Sequence, residues 1–348
     1  MKLQIFGLAL LSGIAVVASA PAQAQNGFLT RSFVSSSGMD SNPCNITQPC
    51  ATFAQAYTTV GANGIVAALD PGKYGPLTIT GPVTINGNGW AAITGPANGS
   101  GITINAGSTD NIILIGLELD GAGAATRGVQ FNSGGTLSIR GSMILNFNGP
   151  GVSFAPTGSS QLFVSDTLIS NNGAVTNGDA NGIYISAASS TSLSGAVDHV
   201  RIENNSSDGI SILGVISTNP KVNFSISNSV IANNAIASSQ CGISVAGNAG
   251  GNGGGKVTVA VSDTVIEGNG AGVCNGGGYV TVRNSTISNS IAWGIDTDQG
   301  TTWITRSTIT GNGTGILTLA GSTYSFGDNN LYNNSTEGSF TSPQQGYQ

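Results

Sequence analysis

One short segment of the chain contains most of the side chains that acid–base chemistry would need. Residues 198–203 read Asp-His-Val-Arg-Ile-Glu and include the only histidine of the protein, His199. An imidazole beside carboxylates can act as a general base, and paired carboxyl groups can protonate or attack a glycosidic bond. The candidate catalytic residues are Asp166, Asp198, His199 and Arg201.

Aromatic side chains form a second group of candidates. Trp293, Trp303 and Tyr184 are predicted to point outward, and Tyr279 and Tyr332 are further members of this group. Exposed rings of this kind provide contact area for the faces of sugar rings. The competing interpretation is that they are ordinary scattered surface aromatics.

A short acidic stretch, Asp296-Thr297-Asp298, is the one place where calcium binding is conceivable. Ca²⁺ accepts carboxylate and carbonyl oxygens at flexible geometry, but the stretch lacks the glycine and the distal glutamate of an EF-hand loop. An exposed acidic turn is the simpler interpretation. We therefore assign no metal site and no cofactor from the sequence.

The elements that must position these residues are indicated by a repeat. Nine times a glycine is followed by Ile or Val at the start of a short alternating run, and consecutive copies lie 21 to 33 residues apart. Such spacing is typical of a solenoid. The nine glycines are Gly101, Gly128, Gly151, Gly182, Gly209, Gly242, Gly272, Gly294 and Gly315.

A column of Asn and Gly precedes most of these glycines. Asn and Gly adopt the left-handed backbone region most readily, so the column predicts one tight bend in every coil. β-Branched residues flank each bend, which favours strands, and stacked asparagines can bond to their neighbours above and below. The column consists of Asn146, Asn171, Asn204, Asn233, Gly268, Asn289, Gly311 and Asn333.

With these columns and the Asn-x-x-(x)-Gly-Ile/Val spacing of residues 269–273 and 312–316, the chain resembles the right-handed parallel β-helix family, the pectate-lyase-like superfamily in the broad sense. The resemblance implies an all-β solenoid, here of about ten coils. It does not imply one activity, because the family includes lyases, hydrolases, epimerases and adhesins. The motifs of its enzymes are missing: there is no Gly-His-Gly, no Arg-x-Lys and no Asp-Pro-His.

In the repeat register His199 falls in an outward column with Asp166, Asn228, Asp263 and Asn284. Neighbouring coils would bring Asp166, Asp198, His199 and Arg201 together, with Asp179 and Asp208 as further acidic neighbours. The competing interpretation is that this column consists of turn residues with local side-chain to backbone bonds, and that His199 replaces an asparagine in it.

Four regions are predicted along the chain. Residues 1–24 read as a secretory signal peptide that ends at Ala22-Gln23-Ala24, with cleavage after Ala20 or retention as a membrane anchor as alternatives. Residues 25–61 hold a Cys-containing loop and a helix over Ala51–Val60 that would cap the first coil. Residues 62–335 form the β-helix, and residues 336–348 form a flexible tail.

The four cysteines suggest disulfides in an exported protein. Cys44 and Cys50 lie in one Pro-flanked loop, and we expect them to pair. In strict register Cys241 and Cys274 are offset by three residues, about 10 Å along a strand, which is too far for a bridge. Either the register slips there or both thiols stay free, and we expect the slip and the bridge.

Composition limits the partners. Only 7% of the residues are charged and the net charge is −6, so the ten Lys and Arg residues do not form the basic face that nucleic acids require. No segment after the signal is long and apolar enough to span a bilayer. We expect an exported bacterial protein, secreted, periplasmic or at the cell surface, whose oligomeric state the sequence leaves open.

Three functions remain, of which a surface adhesin retained at the outer membrane is the weakest. The first is a non-catalytic extracytoplasmic scaffold that binds a polysaccharide or another surface component. The second is a polysaccharide lyase, epimerase or glycoside hydrolase with its site around Asp166, Asp198, His199 and Arg201.

Overall fold

The computed structural model describes residues 28–173, 180–214, 220–236, 240–247 and 256–342. Within these ranges thirty strands, from Leu29 to Gly338, wind into one continuous sheet. Each coil contributes one strand to each of three faces, called A, B and C. Each strand pairs in parallel with the equivalent strand of the next coil. This is the parallel β-helix expected from the repeat.

Four long strands turn a corner and contribute to two faces. Val83–Thr94 and Asn111–Asp120 run from face A to face B, and Ala271–Arg283 and Trp293–Thr305 run from face C to face A. The other strands of face A are Leu29–Val34, Val60–Ala68, Thr136–Arg140, Ser160–Ser165, Ser192–Asp198, Lys221–Ser227, Lys256–Ser262 and Ser322–Ser325.

The remaining strands of face B are Gly72–Lys73, Met143–Leu145, Leu168–Ser170, Arg201–Glu203, Val230–Ala232, Val265–Glu267, Thr286–Ser288, Thr308–Thr310 and Asn330–Tyr332. Those of face C are Leu77–Ile79, Ser100–Asn105, Arg127–Ser133, Val152–Phe154, Ile183–Ser186, Ile210–Leu213, Cys241–Ala246, Thr314–Thr318 and Thr336–Gly338.

Inward-pointing apolar side chains of the three faces form one core that runs the length of the coil stack. On face B, for example, a column of isoleucines is entirely buried, and each such side chain contributes roughly 1.5–3 kcal/mol on burial. This interior confirms the expectation that the alternating Ile and Val positions face inward. The column consists of Ile144, Ile169, Ile202, Ile231, Ile266, Ile287 and Ile309.

A short helix, Phe53–Thr59, covers the first coil. The hydroxyl of Thr52 accepts a hydrogen bond from the Gln55 amide at 3.1 Å and caps the helix, while Phe53 and Ala56 are buried against the core. The predicted capping helix is therefore confirmed. Before it, the strand Leu29–Val34 adds a further strand to face A, which the sequence did not indicate.

The other end of the stack reaches further than expected. The prediction ends the β-helix at residue 335, but Thr336–Gly338 pairs with Thr314–Thr318 as a last strand of face C. Beyond it, Phe340 packs against the core and the Thr341 amide donates to the Thr323 carbonyl oxygen. The predicted signal peptide, residues 1–24, lies outside the described residues.

A ladder of buried asparagine side chains joins the coils at the corner between faces B and C. The side-chain amide of Asn205 donates to Asn234 Oδ1 at 2.9 Å, and that of Asn234 donates to Asn269 Oδ1 at 3.0 Å. The residue before each of them, for example Asn204, has the left-handed backbone that the sequence predicted. Ser290 interrupts the ladder, and its buried hydroxyl has no hydrogen-bond partner in the structure.

Both expected disulfides are present, Cys44–Cys50 and Cys241–Cys274. The predicted register slip at the second bridge is wrong, because the pairing keeps one register from Cys241 opposite Ala271 to Ser244 opposite Cys274. The Cα atoms of Cys241 and Cys274 are nevertheless only 6.1 Å apart. Three extended residues span about 10 Å, so the chain must bend around the Gly242–Gly272 pair to bring the sulfurs together.

Candidate functional site

The predicted Asp-His segment lies at the corner between faces A and B. Here each coil contributes one residue with left-handed backbone, and φ is 50° at Asp166 and 51° at His199. Asn228, Asp263 and Asn284 occupy the same turn position in later coils. His199 is thus a turn residue in a position filled mostly by Asn and Asp, which tolerate this conformation, although Arg306 also occupies it with a φ of 48°.

The residue after this turn usually carries a hydroxyl that links the coils. The amide of Thr264 donates to Ser285 Oγ at 3.2 Å, and that of Ser285 donates to Ser307 Oγ at 3.2 Å. Val200 stands in this column and offers no such acceptor to the preceding coil. The sequence His199-Val200 therefore departs from the repeat at two consecutive positions.

The carboxylate of Asp198 is held by three side chains. Asn228 Nδ2 and Ser227 Oγ donate to Asp198 Oδ1 at 2.8 and 2.7 Å, and His199 Nδ1 lies 2.8 Å from Oδ2. These hydrogen bonds lower the pKa of Asp198 to about 2, so this carboxyl stays ionised at neutral pH and has no proton to give to a leaving group.

The hydrogen bond to Asp198, the charge of Asp198 and the charge of Asp166 raise the pKa of His199, against a smaller opposing effect of burial. The imidazole is largely exposed, and its Nε2 atom faces away from the bond that Nδ1 makes to the carboxylate. Asp198 and His199 therefore form a hydrogen-bonded pair in which the carboxylate orients the ring. This arrangement suits a general base.

Arg201 does not join this pair, because it lies on face B beyond the corner. Its Nε atom donates to Glu203 Oε2 at 2.5 Å. Arg201 also borders an open groove of about 550 Å³ on face B, whose floor includes Val230 and Val265. Of the other acidic neighbours considered, Asp179 lies outside the described residues and Asp208 is buried at the entrance to face C.

The aromatic candidates are divided between two faces. Trp303 lies on the outer side of face A and stacks on Tyr279, with ring centroids 6.1 Å apart and planes 13° apart. Tyr324 follows directly opposite Trp303 on the next strand. Trp293 and Tyr184 lie on face C, far along the chain from each other, so the three predicted binding residues do not share a surface.

A lysine pair borders the Tyr279–Trp303 stack. Lys256 Nζ lies 5.1 Å from the centre of the Tyr279 ring, within the range of a cation–π contact. Lys221 is directly opposite Lys256 in the register of face A, and both are exposed. These lysines were not predicted as binding residues from the sequence, although each precedes a Val-x-Phe/Val-x-Ile/Val run that marks the register. We refer to Lys221, Lys256, Tyr279, Trp303 and Tyr324 as the face A platform.

The acidic stretch on face C is partly buried. Burial and the neighbouring charge of Asp298 raise the pKa of Asp296, and Asp296 Oδ1 has no hydrogen-bond partner. In the described part of the chain, no three His, Cys, Asp or Glu side chains lie together as a metal site would require. Nor does any helix there have the length and apolar character needed to cross a membrane.

Comparison with known proteins identifies the fold. No protein-family model matches the sequence, and no curated relative is found. Among solved structures, the pectate lyase Pel9A is similar with a TM-score of 0.54 at 17% identity over 86% of this chain and 72% of its own. An alginate lyase from Paenibacillus sp. str. FPU-7 gives 0.54 at 16% identity over 87% and 100%.

The A-module of the Azotobacter vinelandii mannuronan C-5 epimerase AlgE4 is similar with a TM-score of 0.53 at 14% identity, over 81% of this chain and 90% of the module. At these identities the similarity establishes the fold and no more. The chain thus has the parallel β-helix fold of these structures.

Proposed function

We propose that this protein is an exported, non-catalytic scaffold that binds an acidic polysaccharide along face A. The observation that carries the proposal is the half-exposed stack of Tyr279 and Trp303 beside Lys256. Stacked rings at the surface leave an exposed apolar area against which a sugar ring can pack, and the lysine supplies a charge at one end of that area.

The lysine pair favours an acidic ligand over a neutral one. Like charges directly opposite each other on a sheet are destabilising, and Lys221 and Lys256 are in this position. A carboxylate of the ligand between the two ammonium groups would remove that repulsion. The names of the similar structures, a pectate lyase, an alginate lyase and a mannuronan epimerase, support a polysaccharide as the kind of partner.

Export is part of the proposal. Two disulfides are typical of proteins outside the cytoplasm, and the predicted signal peptide provides the route. Secretion, the periplasm and the cell surface all agree with this, and nothing in the proposal depends on which of them applies.

Trp303→Ala tests the proposal most directly. Removing one ring of a two-ring stack should weaken binding to polygalacturonate or alginate about ten-fold or more, because buried Trp anchors contribute roughly 2 kcal/mol. Affinity electrophoresis or calorimetry with these polymers, and with neutral dextran for comparison, measures the change. Tyr332→Ala is the matched control, since Tyr332 is exposed on face B, and it should leave binding unchanged. Equal affinities for the Trp303→Ala variant and the unaltered protein would exclude the platform.

The second candidate function is a polysaccharide lyase, epimerase or glycoside hydrolase that uses His199 as the base. It is favoured by the Asp198–His199 hydrogen bond and by the break in the repeat at His199-Val200. It is disfavoured by the separation of Arg201, which pairs with Glu203 on another face.

Turnover of the same polymers, with and without Ca²⁺, separates the two candidates. If the protein is an enzyme of this kind, His199→Ala should lower turnover about 100-fold, the lower range for loss of a general base. Turnover that persists in the His199→Ala variant would exclude this site. A protein that binds but turns over none of the polymers agrees with the scaffold.

A further inference from the structure

Asp208 stands where the fold needs only an asparagine. It lies just before Gly209 at the entrance to face C, and its Oδ1 atom accepts a hydrogen bond from the Cys241 amide of the next coil at 2.7 Å. One coil earlier Asn181 makes the same bond, because its Oδ1 accepts from the Asp208 amide at 3.1 Å. An uncharged acceptor therefore suffices at this position of the fold.

Burying the carboxyl group of Asp208 costs more free energy than burying an amide would. The residue is 9% exposed, and none of the ion pairs among the described residues involves it. Burial raises its pKa to about 6, although the Cys241 amide and the hydroxyls of Ser211 and Ser244 oppose the shift. A charged group without a cationic partner destabilises the interior, and such departures from local consistency are typical of functional positions.

The surroundings of Asp208 are polar and lie on the outer side of face C. Ser211 pairs with Ser244 of the next strand and with Tyr184 of the preceding one, so the three side chains form one outward column. On these flanking strands, Ile183–Ser186 and Cys241–Ala246, the only titratable side chain other than the bridged Cys241 is Tyr184. Asp296 follows two strands beyond Ser244 in the same column.

We infer that Asp208, Ser211, Ser244 and Tyr184 form a second carbohydrate site, which lies on face C and is separate from the face A platform. This inference rests on the proposed function. The ionised carboxylate accepts hydrogen bonds from the hydroxyl groups of one sugar unit, the serine hydroxyls complete the polar contacts, and the Tyr184 ring lies beside the sugar. Charge-assisted bonds of this kind are about twice as strong as neutral ones. Because protonation removes the acceptor charge, binding at this site depends on pH.

Asp208→Asn tests the inference with almost no change of shape. The polymer bound by the unaltered protein, polygalacturonate or alginate, is titrated at pH 5 and at pH 7.5. If binding lowers the pKa of Asp208 from about 6 by about one unit, affinity falls about five-fold from pH 7.5 to pH 5. In the Asp208→Asn variant the affinity at pH 7.5 should already be low and should not change with pH. Asp110→Asn, which alters another carboxylate that accepts from a backbone amide, should keep the pH dependence.

Thermal unfolding checks the premise without any ligand. An Asp whose pKa is raised on folding stabilises the folded state fully below its unfolded pKa of about 3.8 and loses that contribution as the pH rises through about 6. The Asp208→Asn variant should therefore melt a few degrees above the unaltered protein at pH 7.5, and the difference should vanish near pH 4. A variant that melts lower at pH 7.5 would show that the carboxylate is structural and would overturn the inference.

The outcomes distinguish the two proposals. Binding that is lost in Trp303→Ala but unaffected by Asp208→Asn at both pH values overturns the face C site and leaves the face A platform in place. Binding that is weakened by Trp303→Ala and loses its pH dependence only in Asp208→Asn supports both sites. An unaltered protein that binds none of the polymers at either pH overturns the proposed function, and the face C site with it.

Discussion

Asn234→Ala is expected to lower the free energy of unfolding by about 4 kcal/mol. Asn234 is completely buried in the ladder at the corner between faces B and C. Its Oδ1 atom accepts from both the backbone and the side-chain amide of Asn205, at 3.1 and 2.9 Å. Its own side-chain amide donates to Asn269 Oδ1 and to the Ile202 carbonyl oxygen.

The size of the effect follows from what the truncation leaves behind. Without the Asn234 side chain, two buried donors of Asn205 and two buried acceptors lose a partner, and each such group costs roughly 1–3 kcal/mol. The cavity left by the amide adds to this. Water that enters the corner would restore part of the lost hydrogen bonding. The expected loss of stability is therefore below the simple sum of these costs.

Chemical denaturation followed by circular dichroism measures the change. The matched control is Asn223→Ala, because Asn223 is exposed on the outer side of face A, and it should change stability by less than about 0.5 kcal/mol. If both alanine variants unfold at the same denaturant concentration, the ladder is not what holds successive coils together.

The bends and the interior of this fold could be predicted from the sequence because they repeat. Asn204 and Asn233 are separated by one coil and occupy the same left-handed position, so a local preference recurring at a regular interval is enough to place the corner. The same applies to Ile202 and Ile231 in the core. The capping helix was predictable for a different reason, since residues 51–60 have the helical spacing that the repeat region lacks.

The contacts across coils could be predicted less well, because coils differ in length. Nothing in the spacing of Tyr279 and Trp303 shows that their rings stack, since this depends on which residues of two unequal coils come opposite each other. The Cys241–Cys274 bridge shows the same limit, as a local bend, and not the expected slip, brings the two residues together.

The candidate site illustrates a third limit. Asp198 and His199 are consecutive in the sequence and share a hydrogen bond, but Arg201 follows the corner and therefore points from a different face. One bend within three residues is enough to separate side chains that are neighbours in sequence. Asp208, in contrast, is distinguished by its burial, and burial at a corner cannot be read from the residue type.

Gly209→Ala is expected to destabilise the protein by about 3 kcal/mol although it adds a single methyl group. A Cβ atom at this position would lie 2.6 Å from the Gly242 carbonyl oxygen, 2.7 Å from Ile231 Cγ2 and 3.0 Å from Asn234 Nδ2. The first of these atoms belongs to the backbone of the next coil and cannot move without breaking the pairing of face C. The third belongs to the asparagine ladder.

The same conflict recurs at Gly151, Gly182 and Gly242, where an added Cβ atom would lie 2.9–3.0 Å from the side-chain amide of a ladder asparagine. At these positions the glycine of the Gly-Ile/Val pair is thus required because the ladder and the next coil fill the space beside it. The glycine column and the asparagine ladder are two parts of one corner, which explains why they recur together along the sequence.

Gly158→Ala provides the control for this prediction. A Cβ atom at Gly158 would have no neighbour within 4 Å, so this substitution should be neutral or slightly stabilising through the smaller entropy of the unfolded chain. The free energies of unfolding of the two variants are compared under the same conditions. Similar small changes in both would mean that the corner can widen to admit a methyl group, and that the repeated glycine reflects turn propensity and not the packing of one coil on the next.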